Sequence, residues 1–271
     1  SGLRVVERYL GVPGPANDLA VSPDGGRIAA TGNDGGRVWE RGQSDGRMVT
    51  TQEYAGRAMQ VLGAGGAGEL VLGLAGGGWQ RFTLPGLERI PTPERPATPV
   101  MDVLAIDRGR AWLQLLLDGS VEHVLSADDR VEGRVELGPG AARSLAAGPD
   151  GSVFATLDSA IFRLDPPWRS ATRALSIDEL EEPRYFYDAL YRREDRSLLV
   201  AASSGLFGVP LDAGAAVRLV AGYTHLPRLD GDEDRLAYAS ASAVCLYDFA
   251  ARAETLRLDL GHTVFSLRWS P

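Results

Sequence analysis

One pattern of strands and turns recurs along the whole chain and limits the folds open to it. Its clearest copy is residues 17–40, where three short runs of apolar and small residues are separated by tight turns rich in Gly, Asp and Asn. Alternating apolar residues bounded by such turns are typical of β-hairpins. The pattern returns about every 42 residues, and a constant period of this length predicts a β-propeller, a ring of four-stranded sheets called blades.

The repeats divide the chain almost completely. Six of them are expected, at residues 12–54, 55–97, 98–138, 139–180, 181–221 and 222–260. Residues 3–10 and 261–271 read as terminal closing strands that pair in an incomplete seventh blade, because joining the two chain ends removes two exposed strand edges. We therefore predict one all-β domain over residues 1–271, a propeller of four-stranded antiparallel blades with seven positions. A six-bladed ring with extra terminal strands is the alternative.

One segment departs from the strand and turn pattern. Residues 176–183 pair Ser176 with Glu179 at the spacing of a capping box and end at a proline. This combination predicts a single helical turn between the fourth and fifth repeats.

The composition excludes several classes of partner. The chain has 36 acidic and 28 basic residues, and its formal net charge of -8 opposes binding to the phosphate backbone of nucleic acids. No apolar run reaches the roughly 18 residues that a membrane-spanning helix needs. The single cysteine, Cys245, cannot form an internal disulfide. We expect a cytoplasmic protein that binds neither nucleic acid nor membranes.

The two ends of the chain indicate a segment of a longer protein. It starts at Ser1 and Gly2 without Met or a signal-peptide pattern. It stops at Ser270 and Pro271, in the turn that the first repeat continues with Asp24-Gly25. All 28 basic residues are Arg, a bias typical of GC-rich bacterial genomes.

Several short motifs resemble those of WD40 repeats. They are the Ser-Pro-Asp-Gly turn at 22–25 with Thr31, Asp34 and Trp39, the Gly-Pro-Asp-Gly turn at 148–151, the strand end Tyr247 and Asp248, and the pair Gly261 and His262. The first repeat departs from the family at Glu40, where WD40 repeats have Asp. The resemblance implies a propeller that recognises or scaffolds other proteins.

Signatures of catalysis or metal binding are few. His123, His225 and His262 fall in different repeats without the spacing of metal ligands. Four oxygen-bearing side chains could hold a metal in a central channel, as in propeller lactonases: Asn17, Asp102, Asp188 and Asp230. We expect Asp102 and Asp188 to bond nearby backbone amides instead. The sequence therefore predicts no enzymatic activity, no cofactor and no metal.

Arg and aromatic residues gather just before the first strands of several repeats, where propeller loops share one face. Such side chains are typical anchors of protein interfaces. The partner-binding candidates are Arg57, Arg143, Arg184, Tyr185, Tyr187, Tyr223 and His225. Residues 183–187 are the densest patch. We expect Phe186 to lie in the core, whereas Tyr185 and Tyr187 could belong to the core or to the surface.

These observations favour a non-catalytic recognition module. We expect a WD40-like sensor or scaffold domain of a larger bacterial signalling or effector protein, which binds a protein or peptide across the loop face. One alternative is a metal-dependent propeller enzyme of the sugar-lactonase type. Another is a regulatory domain that docks only on the effector domain of its own polypeptide.

Overall fold

The fold consists of strands arranged in separate small sheets. In this computed structural model, the structure describes residues 16–264, 266 and 267, except 23–24, 33–34, 44, 50–55, 63–67, 85, 94–97, 181, 183 and 213. These residues form six four-stranded antiparallel sheets, each with its strands in chain order. This is the arrangement of propeller blades, so the prediction of an all-β chain with four-stranded blades is confirmed. Three blades lie in each of two compact units, one up to Glu136 and one from Leu137 onward.

The first unit contains blades one to three. Blade one consists of β1 (Ala16–Val21), β2 (Arg27–Gly32), β3 (Gly35–Glu40) and β4 (Arg47–Val49). Blade two consists of β5 (Gly56–Leu62), β6 (Glu69–Leu74), β7 (Trp79–Thr83) and β8 (Arg89–Ile90). Blade three consists of β9 (Val100–Ile106), β10 (Ala111–Leu116), β11 (Ser120–Leu125) and β12 (Val131–Glu136).

The second unit contains blades four to six. Blade four consists of β13 (Ala142–Ala147), β14 (Val153–Leu157), β15 (Ala160–Leu164) and β16 (Ala171–Ser176). Blade five consists of β17 (Phe186–Arg192), β18 (Ser197–Ala202), β19 (Gly205–Pro210) and β20 (Val217–Ala221). Blade six consists of β21 (His225–Leu229), β22 (Arg235–Ser240), β23 (Ala243–Asp248) and β24 (Ala253–Asp259).

A seventh blade is not confirmed, because the residues that the structure describes form six. The terminal strand expected at residues 3–10 lies outside those residues. At the other end, residues 261–264, 266 and 267 form no strand. The backbone carbonyls of Val264 and Leu267 instead accept hydrogen bonds from the side chains of His225 and Arg228 in β21, at 2.8 and 3.1 Å. That the chain is one domain stays a prediction.

Strand β18 shows why the repeats are so apolar. All six of its residues are buried. Leu198 and Val200 pack in one cluster with Phe154 of blade four, whereas Leu199 packs in another with Leu236 of blade six. Successive side chains of a strand point to opposite faces, and here both faces are covered by a neighbouring blade. The outer strands β20 and β24 are largely exposed, as an edge strand requires.

The expected helical turn is present between blades four and five. Ile177–Glu179 forms one turn of 3-10 helix, and Ser176 and Glu179 occupy the two positions of a capping box. The carboxylate of Glu179 accepts the Ser176 amide at 2.7 Å. A capping box satisfies backbone amide groups at the start of a helix, so a single helical turn can form here without a longer helix.

Every first strand contains an irregularity near its start. The residues passed over by the pairing register are Asn17, Arg57, Met101, Arg143, Tyr187 and Leu226 with Pro227. A β-bulge leaves its extra residue unpaired and redirects the side chain away from the regular alternation. Three of the predicted partner-binding residues, Arg57, Arg143 and Tyr187, occupy this equivalent position.

Candidate functional site

Four of the predicted partner-binding residues form one continuous group, which we call the aromatic row: Tyr185, Tyr187, Tyr223 and His225. The ring centroids of Tyr185 and Tyr187 are 5.0 Å apart, and those of Tyr187 and Tyr223 are 5.1 Å apart, in both cases edge to face. The His225 ring follows at 5.1 Å from Tyr223. Edge-to-face contacts at this distance are favourable, so the rings support one another.

The row presents large aromatic surface to solvent. Tyr185 is 38% exposed and Tyr223 is 44% exposed, and both are among the few large apolar side chains that the described chain leaves open. Tyr187 and His225 lie half-buried between and beside them. An exposed group of aromatic rings on a rigid support is the usual composition of an interface anchor.

The backbone under Tyr185 is held by hydrogen bonds on both sides. The amide of Arg184 donates to the hydroxyl of Ser203 at 2.7 Å, and the carbonyl of Tyr185 accepts the Ser203 amide at 3.1 Å. The amide of Phe186 donates to the carbonyl of Asp158 in blade four at 2.8 Å. Phe186 itself is completely buried, which confirms the expectation that it belongs to the core. The backbone at Tyr185 is therefore held by the buried Phe186 on one side and by the hydrogen bonds to Ser203 on the other.

The polar atoms of the row are partly satisfied within it. Burial, together with hydrogen bonding to Tyr185 and the neighbouring Tyr223, raises the pKa of the Tyr187 phenol well above its ordinary value, so the hydroxyl keeps its proton. Nε2 of His225 lies 2.8 Å from the Val264 carbonyl and donates to it, because a carbonyl oxygen can only accept. Nδ1 of the same ring is buried and has no partner among the described residues.

An ion pair between adjacent inner strands supports the row from below. The Asp188 carboxylate in β17 lies 2.7 Å from the Arg228 guanidinium in β21, and its other oxygen accepts the Ala189 amide at 2.9 Å. Arg228 also donates to the Leu267 carbonyl at 3.1 Å. Asp188 follows the bulge residue Tyr187 directly, so the same pair that joins blades five and six also fixes the backbone beneath the row.

We expect Arg228→Met to lower the free energy of unfolding by about 2–4 kcal/mol. The substitution leaves the buried Asp188 carboxylate without its counter-ion, and such a loss costs far more than a surface pair is worth. Urea unfolding followed by circular dichroism would measure it. Arg196→Met is the matched control, because its pair with Asp212 is two-thirds exposed on both sides. An equal cost for the two variants would contradict the supporting role of Arg228.

The remaining partner-binding candidates are three arginines outside the row. Arg184 precedes Tyr185 and is exposed. Arg143 lies at the bulge of β13 in blade four, where its Nε is buried without a hydrogen-bond partner among the described residues. Arg57 lies at the bulge of β5 in the other unit. Sequence reasoning therefore located the row but grouped with it three arginines that share only its strand position or its segment.

Three of the four oxygen-bearing side chains considered for a metal bond to backbone groups. Asp102 accepts the Val103 amide at 2.8 Å and Asp188 accepts the Ala189 amide, as expected. Asp230 accepts the Arg235 amide at 3.1 Å. Within the part of the chain that the structure describes, no three His, Cys, Asp or Glu residues are grouped as metal ligands.

Sequence reasoning missed Arg228, the residue that joins the two blades under the row. The related sequence signal is the Asp that follows the bulge residue. Asp18, Asp102 and Asp188 each follow the extra residue, and each accepts a hydrogen bond from the next backbone amide. An Asp at this position marks the start of an inner strand. The charged partner of Asp188 is Arg228 in the neighbouring blade, 40 residues away in the sequence, and no local pattern reveals such a pair.

Comparisons with known proteins add no family to this geometry. The chain matches no protein-family model, and no curated protein is significantly similar to it. Among the described residues, no helix has the length and the apolar character to cross a membrane.

Proposed function

We propose that this chain is a non-catalytic recognition module that binds a protein or peptide at the aromatic row. The observation that carries the proposal is the contiguity of Tyr185, Tyr187, Tyr223 and His225, with two of the tyrosines about two-fifths exposed to solvent. In keeping with its WD40-like motifs, the module would serve as the sensor or scaffold part of a larger bacterial signalling or effector protein.

The row suits recognition because it is prepared before a partner arrives. Edge-to-face packing orders the three tyrosine rings, and the backbone hydrogen bonds of residues 184–186 hold the first of them. Rings that are already ordered lose little conformational entropy on binding. Tyrosine also offers an apolar face and a hydroxyl at once, so it can contact both side chains and backbone of a partner.

The test is selection of a random-peptide library displayed on phage against the protein. We expect the double variant Tyr185→Ala with Tyr223→Ala to bind the selected peptides at least about 30-fold more weakly, which corresponds to about 2 kcal/mol. Fluorescence anisotropy of the labelled peptides would measure the affinities. Both side chains are exposed, so the melting temperature should change little.

Leu260→Ala provides the control, because Leu260 is 41% exposed in the same unit and lies outside the row. It should leave peptide affinity unchanged. The proposal is wrong if no peptide depends on the row, or if a stoichiometric calcium ion raises the melting temperature, as a lactonase-type enzyme would require. Peptide binding by the isolated domain but not by the full-length protein would mean that the effector domain covers the row. That result would favour intramolecular regulation.

A further inference from the structure

A groove separates blades five and six at the end of the blades opposite the aromatic row. The row lies where the first strands β17 and β21 begin, whereas the groove lies where these strands end and where the third strands meet the fourth. Its volume is about 720 Å³. Leu199, Gly208 and Leu219 of blade five face Tyr247 and Phe249 of blade six across it.

The corresponding space between blades one and two is nearly closed. The cavity there is about 60 Å³ and is bordered by Val38 and Leu87. Val38 pairs with Ala29 in blade one, as Gly208 pairs with Leu199 in blade five, each two residues from the same end of the hairpin. Leu87 comes from the next blade, four residues after the end of its third strand, with a left-handed φ of 58°. It packs against the core cluster that contains Val38.

Blades two and three close the same space with charges. Arg81 occupies the position of Val38, since it pairs with Val71 in blade two. Asp129 occupies the position of Leu87, four residues after the end of β11, with φ 57°. The two side chains form a buried ion pair of 2.8 Å. The fold therefore uses one fixed pair of positions, once apolar and once ionic, to seal the space between neighbouring blades.

Blades five and six lack this seal. The first position is Gly208, and the nearest atoms that a Cβ added there would meet belong to Leu219, at 3.7 Å, which is ordinary van der Waals contact. The second position is Arg252, four residues after the end of β23, with φ 51°. Arg252 is exposed and follows two alanines, so nothing from blade six fills the space over Gly208. The groove is thus open because Gly208 and Arg252 occupy the two positions that larger or paired side chains fill between blades one and two and between blades two and three.

The walls of the groove indicate what it would take. Val217 borders it and is 58% exposed, the largest exposure among the large apolar side chains of the described chain. Arg218 and Arg252 at the outer rim are exposed and form no ion pair with any described residue. At the inner end, Arg192 lies 3.8 Å from the centre of the Phe249 ring and is already paired with Glu194 and Asp195, and the exposed carboxylate of Asp234 also borders the groove there. The uncompensated charge at the outer rim is therefore positive.

We propose that this groove binds a peptide segment of a partner protein that carries a bulky apolar side chain next to an acidic one. The apolar side chain would occupy the space over Gly208, where Leu87 lies in the first pair of blades. The carboxylate would meet the two free guanidinium groups at the rim, in place of the ion pair that seals blades two and three. This second surface does not depend on the aromatic row.

The experiment fills the groove with the residues that already close its counterpart. The double variant Gly208→Val with Arg252→Leu reproduces the pair of Val38 and Leu87. A random-peptide phage library is selected on the Tyr185→Ala with Tyr223→Ala variant, which lacks the row but keeps the groove, and the selected peptides are tested on the wild type and on the filled variant by fluorescence anisotropy. We expect peptides with a bulky apolar residue beside Asp or Glu, and an affinity at least about tenfold lower for the filled variant. The melting temperature of this variant should not fall.

A second variant tests the groove without filling it, so the proposal can still be tested if the filled variant fails to fold. Arg252→Glu changes only an exposed charge, and it should shift the selected peptides from acidic to basic. Peptides selected on the variant without the row should bind that variant and the wild type equally well, which separates this proposal from the function proposed for the row. Peptides that bind filled and open grooves equally, or that contain no acidic residue, would overturn it. Self-association of the chain that the filling abolishes would also overturn it, because the occupant would then be a second copy.

Discussion

Replacing Asp129 with alanine should lower the free energy of unfolding by about 3 kcal/mol. The Asp129 carboxylate accepts hydrogen bonds from Arg81 at 2.8 Å and from the Trp79 indole at 3.3 Å, and both charged side chains are about 95% buried. Removing one member of a buried pair leaves a charge that water cannot reach, at a typical cost of about 3–5 kcal/mol. We expect the lower end, because Glu69 also binds Arg81 and remains. Urea unfolding followed by circular dichroism would measure the loss.

The neighbouring acid provides the matched control. Asp128 is more than half exposed, pairs with the Arg130 guanidinium at 3.7 Å and accepts the Arg130 amide at 3.2 Å, so Asp128→Ala should cost less than about 1 kcal/mol. The double variant Arg81→Val with Asp129→Leu should recover most of the loss, since Val38 and Leu87 already fill this pair of positions in the preceding blades. If the double variant is less stable than Asp129→Ala alone, the two pairs of positions are not equivalent.

The second large effect is expected at Phe186, in the middle of the most aromatic segment of the chain. Phe186 is fully buried in a cluster with Phe154 and Leu198. Phe186→Ala would leave a cavity between blades four and five and should cost about 3–5 kcal/mol. The same urea experiment would detect it.

Tyr185→Ala is the natural comparison for Phe186, because it removes an adjacent ring of similar size. Tyr185 is 38% exposed and touches Tyr187 edge to face, so its loss should cost about 1 kcal/mol or less. The contrast between neighbouring residues is the signature of strand alternation. Similar costs for the two variants would mean that Tyr185 belongs to the core and that the row is not a binding surface.

Local patterns were enough to predict the blades. The Gly-Pro-Asp-Gly turn at 148–151 connects β13 to β14, where Asp150 and Gly151 adopt the left-handed backbone that such a turn needs. Each of the six sheets falls within one of the six expected repeats. The capping box at Ser176 formed as predicted. These features depend on residues close in sequence, so a single sequence contains their full signal.

The number of blades was predicted less well. The preference for a seventh position came from the apolar residues near the C-terminus, which resemble a first strand. In the structure, the carbonyls of Val264 and Leu267 are used instead by the side chains of His225 and Arg228. An alternating apolar pattern shows that a segment could pair as a strand. It does not show whether the backbone will bond to another strand or to side chains.

For the candidate site, the sequence determined the residue types and the tertiary structure decided their arrangement. Tyr185, Tyr187, Tyr223 and His225 could be proposed from their place before the first strands, but their contact across two blades follows from bulge geometry and from packing between β17 and β21. The groove beside Gly208 was invisible in the sequence, because a glycine and an arginine 44 residues later become partners only when two blades pack together. Strand alternation and turn chemistry act over a few residues, so the sequence alone determined the blades. Contacts between blades join residues about one repeat apart, so only the tertiary structure decided which spaces are sealed and which stay open.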